Sequence, residues 1–161
     1  MTKPRTVIAL VVEDPAWRRC GVDLSRLRTA ARLAVSRAPG RDGAACDLTL
    51  LLTDDARLRA LNARFRGRDA PTNVLSFPAA ANAHGHLGDV AIALGIARQE
   101  ATTAGIGLMA RTLHLTVHGV LHLLGYDHVR TREAEAMERL EIAVLKTLGC
   151  PNPYARAAAM K

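Results

Sequence analysis

The stretch MARTLHLTVHGVLHLLGYDH (109–128) decides how the rest of the chain is read. Residues 109–124 are apolar nearly all round, which predicts a helix buried on every side. Gly125 can end that helix in a left-handed cap. His118 and His122 stand four apart, so both rings lie on one face, one turn apart, with Cβ atoms about 6 Å from each other. Two such imidazoles reach a common cation with bonds of about 2.0–2.1 Å. After the turn at Gly125 the chain brings back His128 as a third ligand. The stretch therefore predicts a metal site on a central buried helix.

A rival triplet exists, because His114 lies one turn before His118. Three ligands in a straight line along a helix converge poorly on one tetrahedral ion. The preferred set is His118, His122 and His128, with His114 an ordinary helix residue or a donor behind the ligands. Three neutral imidazoles leave a fourth position open, and an open zinc site usually does chemistry. The same spacing, H-x-x-x-H-x-x-G-x-x-H, occurs in one class of zinc peptidases, which carry Glu directly after the first His as base. Here that position is Gly119. Its lack of a side chain argues against peptide hydrolysis and suggests open space beside the metal. Asp127 and Asp89 are candidate proton carriers or partners of the ligands. His84 and His86 read as solvated loop residues.

Outward from this helix, strands and helices mix. Residues 6–13 (TVIALVVE) are rich in β-branched side chains and predict a buried strand. Residues 16–37 carry apolar side chains at helical spacing, and 38–45 read as a turn-rich loop. Residues 46–53 predict a second strand, with Thr53 or Asp54 capping the next helix. Runs 73–77 and 88–94 predict two short strands, and 95–105 another helix. Residues 131–148 form an amphipathic pattern with acidic residues near its start, suited to the helix dipole. The tail from 152, ending ARAAAMK (155–161), reads as frayed. No repeat or linker divides the chain. The expectation is one α+β domain over residues 1–161, with helices packed on a mixed sheet of about four strands.

Composition narrows the function classes. Of 161 residues, 49% are hydrophobic but only 3% aromatic, so the core rests on Leu, Val, Ile and Ala, and platforms for stacking bases are scarce. The net charge of +7 favours an anionic partner. Cys20, Cys46 and Cys150 are odd in number and far apart, which fits a reducing cytoplasm rather than a disulfide framework. The apolar run Val7 to Val12 is followed at once by Glu13 and Asp14, so it reads as a strand and not as a signal peptide or membrane anchor.

Arg57, Arg59, Arg64, Arg66 and Arg68 cluster within a dozen residues. A solvated helix face is one reading, and a strip of guanidinium forks for phosphate oxygens is the other. At this point the chain resembles a known family. NARFRGRDAPTNVLSFP (62–78), LGDVAI (87–92) and HGVLHLLGYDH (118–128) look like the three signature blocks of the YbeY family of bacterial rRNA maturation factors, and EAEAMERLEIAVLKTLG (133–149) like its last helix. The resemblance covers about residues 46–154.

It implies a zincin-like α+β fold. The implied activity is a single-strand-specific, metal-dependent endoribonuclease acting in 16S rRNA 3′-end maturation and ribosome quality control. The family's zinc histidines match His118, His122 and His128, and its functional arginine matches Arg66, with Phe65 where Tyr is common. The implied cofactor is one Zn2+, held by three histidines plus water or substrate. The implied partners are an rRNA precursor in the small subunit, a small-subunit ribosomal protein and an assembly GTPase, in the cytoplasm. Two alternatives stay open: a non-catalytic assembly factor with a structural zinc, and a metallopeptidase.

Overall fold

The computed structural model describes residues 5–41, 45–80 and 84–155. The predicted first strand is β1 (Val7–Val12) and the second is β2 (Asp47–Thr53). The next two are β3 (Val74–Pro78) and β4 (His86–Ala93). The helices are α1 (Leu24–Arg37), α2 (Asp55–Arg66), α3 (Leu94–Ala104), α4 (Leu108–Leu123) and α5 (Thr131–Thr147). Strand order is β1-β2-β4-β3, with β1, β2 and β4 parallel and β3 antiparallel at the edge. This is the expected α+β architecture with a mixed sheet.

Alternation along the strands assigns the two faces. Leu48, Leu50 and Leu52 of β2 are fully buried, in the main core with residues of α1 and α4. Each such side chain contributes roughly 1.5–3 kcal/mol by leaving water. The opposite face carries a smaller cluster, in which Ala91 and Ala93 of β4 and Leu75 of β3 meet Leu58 of α2. α2 covers only part of that face, and Val7 and Val11 of β1 stay exposed on the molecule's surface.

Two element limits differ from the pattern reading. The helix expected over 16–37 is broken. A short 3-10 turn (Pro15–Arg18) is capped by Asp14, and α1 starts afresh after Asp23, whose carboxylate accepts from the Ser25 amide. Local side-chain caps outcompete a helical apolar spacing that alone would bridge the gap. The fourth strand starts two residues earlier than expected, at His86. That histidine is a strand residue rather than a loop residue, because its ring bonds Asp47 on the neighbouring strand β2. Asp47 raises the His86 pKa through that bond, although desolvation opposes it. His84 remains in the turn before the strand. The tail expected to fray lies, beyond Ala155, outside the described residues.

α4 runs through the centre, touching α1, α3, α5, β3 and β4. It approaches the sheet closely at Gly119. A Cβ there would stand 2.5 Å from Val90 Cγ1 and 3.3 Å from both Ser76 Oγ and Val74 Cγ2. The Ser76 hydroxyl donates to the Gly119 carbonyl at 2.8 Å, tying β3 to the helix in the buried interior. Gly119 thus faces the sheet. The expectation that it opens space beside a metal is corrected: the missing side chain makes room for β3 and β4.

Gly119→Ala is therefore expected to push α4 off the sheet and destabilise the protein by about 1–3 kcal/mol, the usual cost of overpacking. Thermal or urea unfolding of the variant checks this. Gly119→Glu should fail to fold rather than gain peptidase activity.

Candidate metal centre

α4 supplies two of the three predicted ligands. Gly125, at φ +94°, turns the chain after the helix, and the Tyr126 amide donates back to Leu121 O at 3.1 Å. This reversal brings His128 over the helix end. The ring centroid of His128 lies 5.3 Å from that of His118 and 4.9 Å from that of His122. One ligand atom from each of the three rings lies within 4.8 Å of the others. The structure thus brings together His118, His122 and His128.

Their hydrogen bonds set the tautomers. His118 Nδ1 donates to Glu141 Oε1 at 2.7 Å, and His122 Nδ1 donates to the Tyr126 carbonyl at 2.8 Å. Each ring then carries its proton on Nδ1 and a bare lone pair on Nε2. Those two Nε2 atoms stand 3.1 Å apart. Two lone pairs at that distance repel unless a cation sits between them. Ligands of a tetrahedral ion with bonds of about 2.0–2.1 Å lie about 3.3 Å apart, close to what is seen. Burial lowers the His122 pKa, and the neighbouring His118 and His128 lower it further. The ring is held neutral, as a metal ligand must be. The donor set therefore fits a divalent metal of the kind that imidazoles bind.

Behind the ligands lies a residue that the sequence reading missed. Glu141 of α5 is 1% exposed and receives hydrogen bonds from three directions. His118 Nδ1 bonds one oxygen; His114 Nε2, at 2.8 Å, and the Tyr154 hydroxyl bond the other. Burial favours its neutral form, but the bonds from His114, His118 and Tyr154 outweigh it and hold the carboxyl at about 2. Glu141 is thus an ionised acceptor that orients His118, as carboxylates do for metal-bound imidazoles. Its only trace in the sequence is an acidic residue on the apolar side of an amphipathic helix. His114 takes the place of a donor to Glu141. His114, His118 and Glu141 also form a second cluster within ligand reach. Direct hydrogen bonds of 2.7 and 2.8 Å already fill that cluster, leaving no gap for an ion.

The three histidines line a cleft of about 780 Å³, whose other wall carries Arg66 and Arg68 and the backbone of β3. Arg66 closes α2 and donates through Nη2 to the Ser76 carbonyl. Arg57 and Arg59 are engaged elsewhere, in exposed ion pairs with Glu13 and Asp69. The strip of arginines is thus divided, and its last two members turn to the cleft. Asp127 also lines it, with Oδ1 accepting from the His128 amide at 2.7 Å. Asp89 does not: it lines a different groove, on the α2 side of the sheet.

Comparisons with known proteins place the chain in a family. A family model described as "Endoribonuclease YbeY" matches residues 18–149. A relative from Rhodopseudomonas palustris described as Endoribonuclease YbeY is 50% identical over 159 residues, covering 94% of each chain. One from Ruegeria pomeroyi with the same description is 43% identical over 162 residues, covering 90% of this chain and 96% of its own. Among solved structures, the solution structure of TM1509 from Thermotoga maritima matches with a TM-score of 0.58. It covers 88% of this chain and 91% of that one at 23% identity, a likeness of fold.

Glu141→Gln keeps the size of the side chain but removes the charge that holds His118. It is expected to weaken divalent-metal affinity about 10–100-fold, measured by competition with a chromophoric chelator. Acidification below the ordinary histidine range of about 6.5 should release metal, because protons compete for the same nitrogens. His122 should be among the last to protonate, since its pKa is lowered, and an NMR titration of the metal-free protein checks the order.

Proposed function

Since the chain belongs to the YbeY endoribonuclease family, we propose that it is a single-strand-specific, zinc-dependent endoribonuclease. We propose that residues 1–161 form one catalytic domain, acting in 16S rRNA 3′-end maturation and ribosome quality control. The observation that carries the reading is the pairing of two walls in one cleft: three imidazoles with converging nitrogens, faced by Arg66 and Arg68. A neutral ligand set leaves a bound zinc its full double charge, which suits an anionic phosphodiester. The glutamate that peptidases use is replaced by a glycine packed against the sheet. The net charge of +7 supports an RNA partner.

In this reading His118, His122 and His128 hold the zinc. When bound, zinc supplies Lewis acidity toward a phosphoryl oxygen and lowers the pKa of water to about 7. The chain's own residues do the rest. Glu141 keeps the His118 ring turned to the cleft. Arg66 is anchored by its bond to the Ser76 carbonyl, which uses one of its five donors. The remaining donors hold phosphate oxygens and stabilise the charge that builds on phosphorus. Arg68 has no side-chain partner among the described residues and steers the strand by charge. Asp127 is the one carboxylate among the described residues lining the cleft, so it would accept, on Oδ2, the proton that the attacking water gives up as its oxygen bonds to phosphorus.

The proposed setting is the cytoplasm, with an rRNA precursor as substrate and a small-subunit ribosomal protein and an assembly GTPase as guides. No helix among the described residues is long and apolar enough to cross a membrane.

Cleavage of a single-stranded RNA by wild type, His122→Ala and Arg66→Glu, with metal content measured in parallel, tests the assignment. His122→Ala is expected to lose metal and activity together. Arg66→Glu should keep its metal and lose activity about 100-fold or more, the scale for removing one charge-stabilising donor. A folded, metal-loaded Arg66→Glu that cleaves like wild type would falsify the role of Arg66. A His122→Ala that only melts would make the metal structural.

A further inference from the structure

On the α2 side of the sheet lies a second groove, of about 710 Å³, floored by Leu51 and Ala91 and walled by Phe65, Phe77 and Leu61. It is not isolated. Arg66 and Pro78 line both this groove and the metal cleft. The two concavities meet at the edge strand β3, with the Arg66 guanidinium at the junction.

The use of aromatic side chains in this chain makes the groove unusual. Among five aromatic residues, Trp17 is fully buried and its indole donates to the Thr53 carbonyl at 2.9 Å. Tyr154 is committed to Glu141, and Tyr126 packs against the main core. Phe77 packs against the smaller cluster. Phe65 alone stands 56% exposed. It is braced edge-to-face by Phe77 at 5.4 Å between centroids, and the Arg64 guanidinium lies over it at 5.1 Å. A single exposed phenylalanine is ordinary. One held rigid by a second ring, backed by a guanidinium and bordering a groove that opens on a phosphate-binding arginine has the parts of a base-stacking platform.

We propose that this groove is a nucleobase subsite: an unpaired base of the RNA strand held at Arg66 turns into it and stacks against Phe65. The inference rests on the endoribonuclease reading. The apolar floor, the exposed ring of Phe65 and a carboxylate together favour a base over a phosphate. Asp89 lies in the lining, where a carboxylate repels an anion and accepts from an exocyclic amine. Arg66 borders the same groove and takes the flanking phosphate, while Arg57, also in the lining, is held in its ion pair with Glu13. The enzyme would then grip its substrate on both sides of β3, with phosphate at the metal and a neighbouring base behind it. Recognition would depend on an unstacked base, which a duplex does not offer.

The test measures binding of a short 2′-O-methyl RNA strand, checked on a gel to stay intact, by fluorescence anisotropy, using wild type, Phe65→Ala and Phe65→Tyr. Phe65→Ala should weaken binding about tenfold, the scale for one stacked base, and Phe65→Tyr should bind like wild type. An abasic nucleotide moved along the strand should reveal one position where losing the base weakens wild type about tenfold and leaves Phe65→Ala unchanged. Equal affinities of wild type and Phe65→Ala, or no such coupled position, overturn the subsite. If wild type still cleaves RNA in that case, the endoribonuclease reading stands and only the subsite is lost. A Phe65→Ala that keeps its RNA affinity but changes self-association assigns the groove to a protein contact, which also overturns the proposal. A wild type that neither binds nor cleaves single-stranded RNA sinks both.

Discussion

A carboxylate removed almost wholly from water has to be satisfied, and the arrangement around Glu141 follows from that requirement. An ionised group in the interior without partners would cost several kcal/mol. Glu141 meets the cost with three donors drawn from separate parts of the chain: two histidines of α4 and the hydroxyl of Tyr154 beyond α5. The bonds set the rotation of α4 against α5. They also choose the tautomer of His118, which points the other nitrogen of that ring into the cleft. Packing and ligand geometry are therefore one constraint seen from two sides. No buried side-chain polar atom among the described residues is left without a partner, so the apolar core carries no unpaid polar debt.

The opposite flank of α4 is set by steric contact. Gly119 lets the helix lie against β3 and β4, and the Ser76 hydroxyl closes the gap with a hydrogen bond. Ser76 also offers its carbonyl to Arg66. A single strand residue thus connects the helix that bears two histidines to the arginine across the cleft. The separation between the two walls is fixed by this short path through β3.

Much of this is legible in the sequence. The all-round apolar pattern of 109–124 gave a buried helix, and the i, i+4 histidines with the turn at Gly125 gave a convergent set, because both depend on local geometry alone. Strand positions followed from β-branched runs. What the sequence hid depends on long-range contact. Glu141 looks like one more acidic residue on a helix rich in them; only the packing of α5 on α4 turns it inward. Gly119 reads as open space beside the metal, because a missing side chain does not say which neighbour fills the gap. The break between residues 18 and 24 escaped the periodicity because the arginines and alanines on either side keep helical spacing across it. Asp89 and Asp127 were indistinguishable as carboxylates near the motif, and the sheet puts them on opposite faces.

The order of these parts along the chain has a consequence for the timing of assembly. A chain emerges from the ribosome N-terminal end first. The sheet and α4 can dock as soon as residue 123 is free, since β1 to β4 all precede it. At that moment His118 and His122 are in place on their helix, but His128 has yet to turn back and nothing holds the Nδ1 side of His118. Glu141 follows His118 by 23 residues, and Tyr154 follows Glu141 by 13. The residues of the scaffold thus precede in the chain those that complete the cation-binding geometry. Only the final helix with its following segment supplies the Nδ1 side of His118 and makes that centre competent.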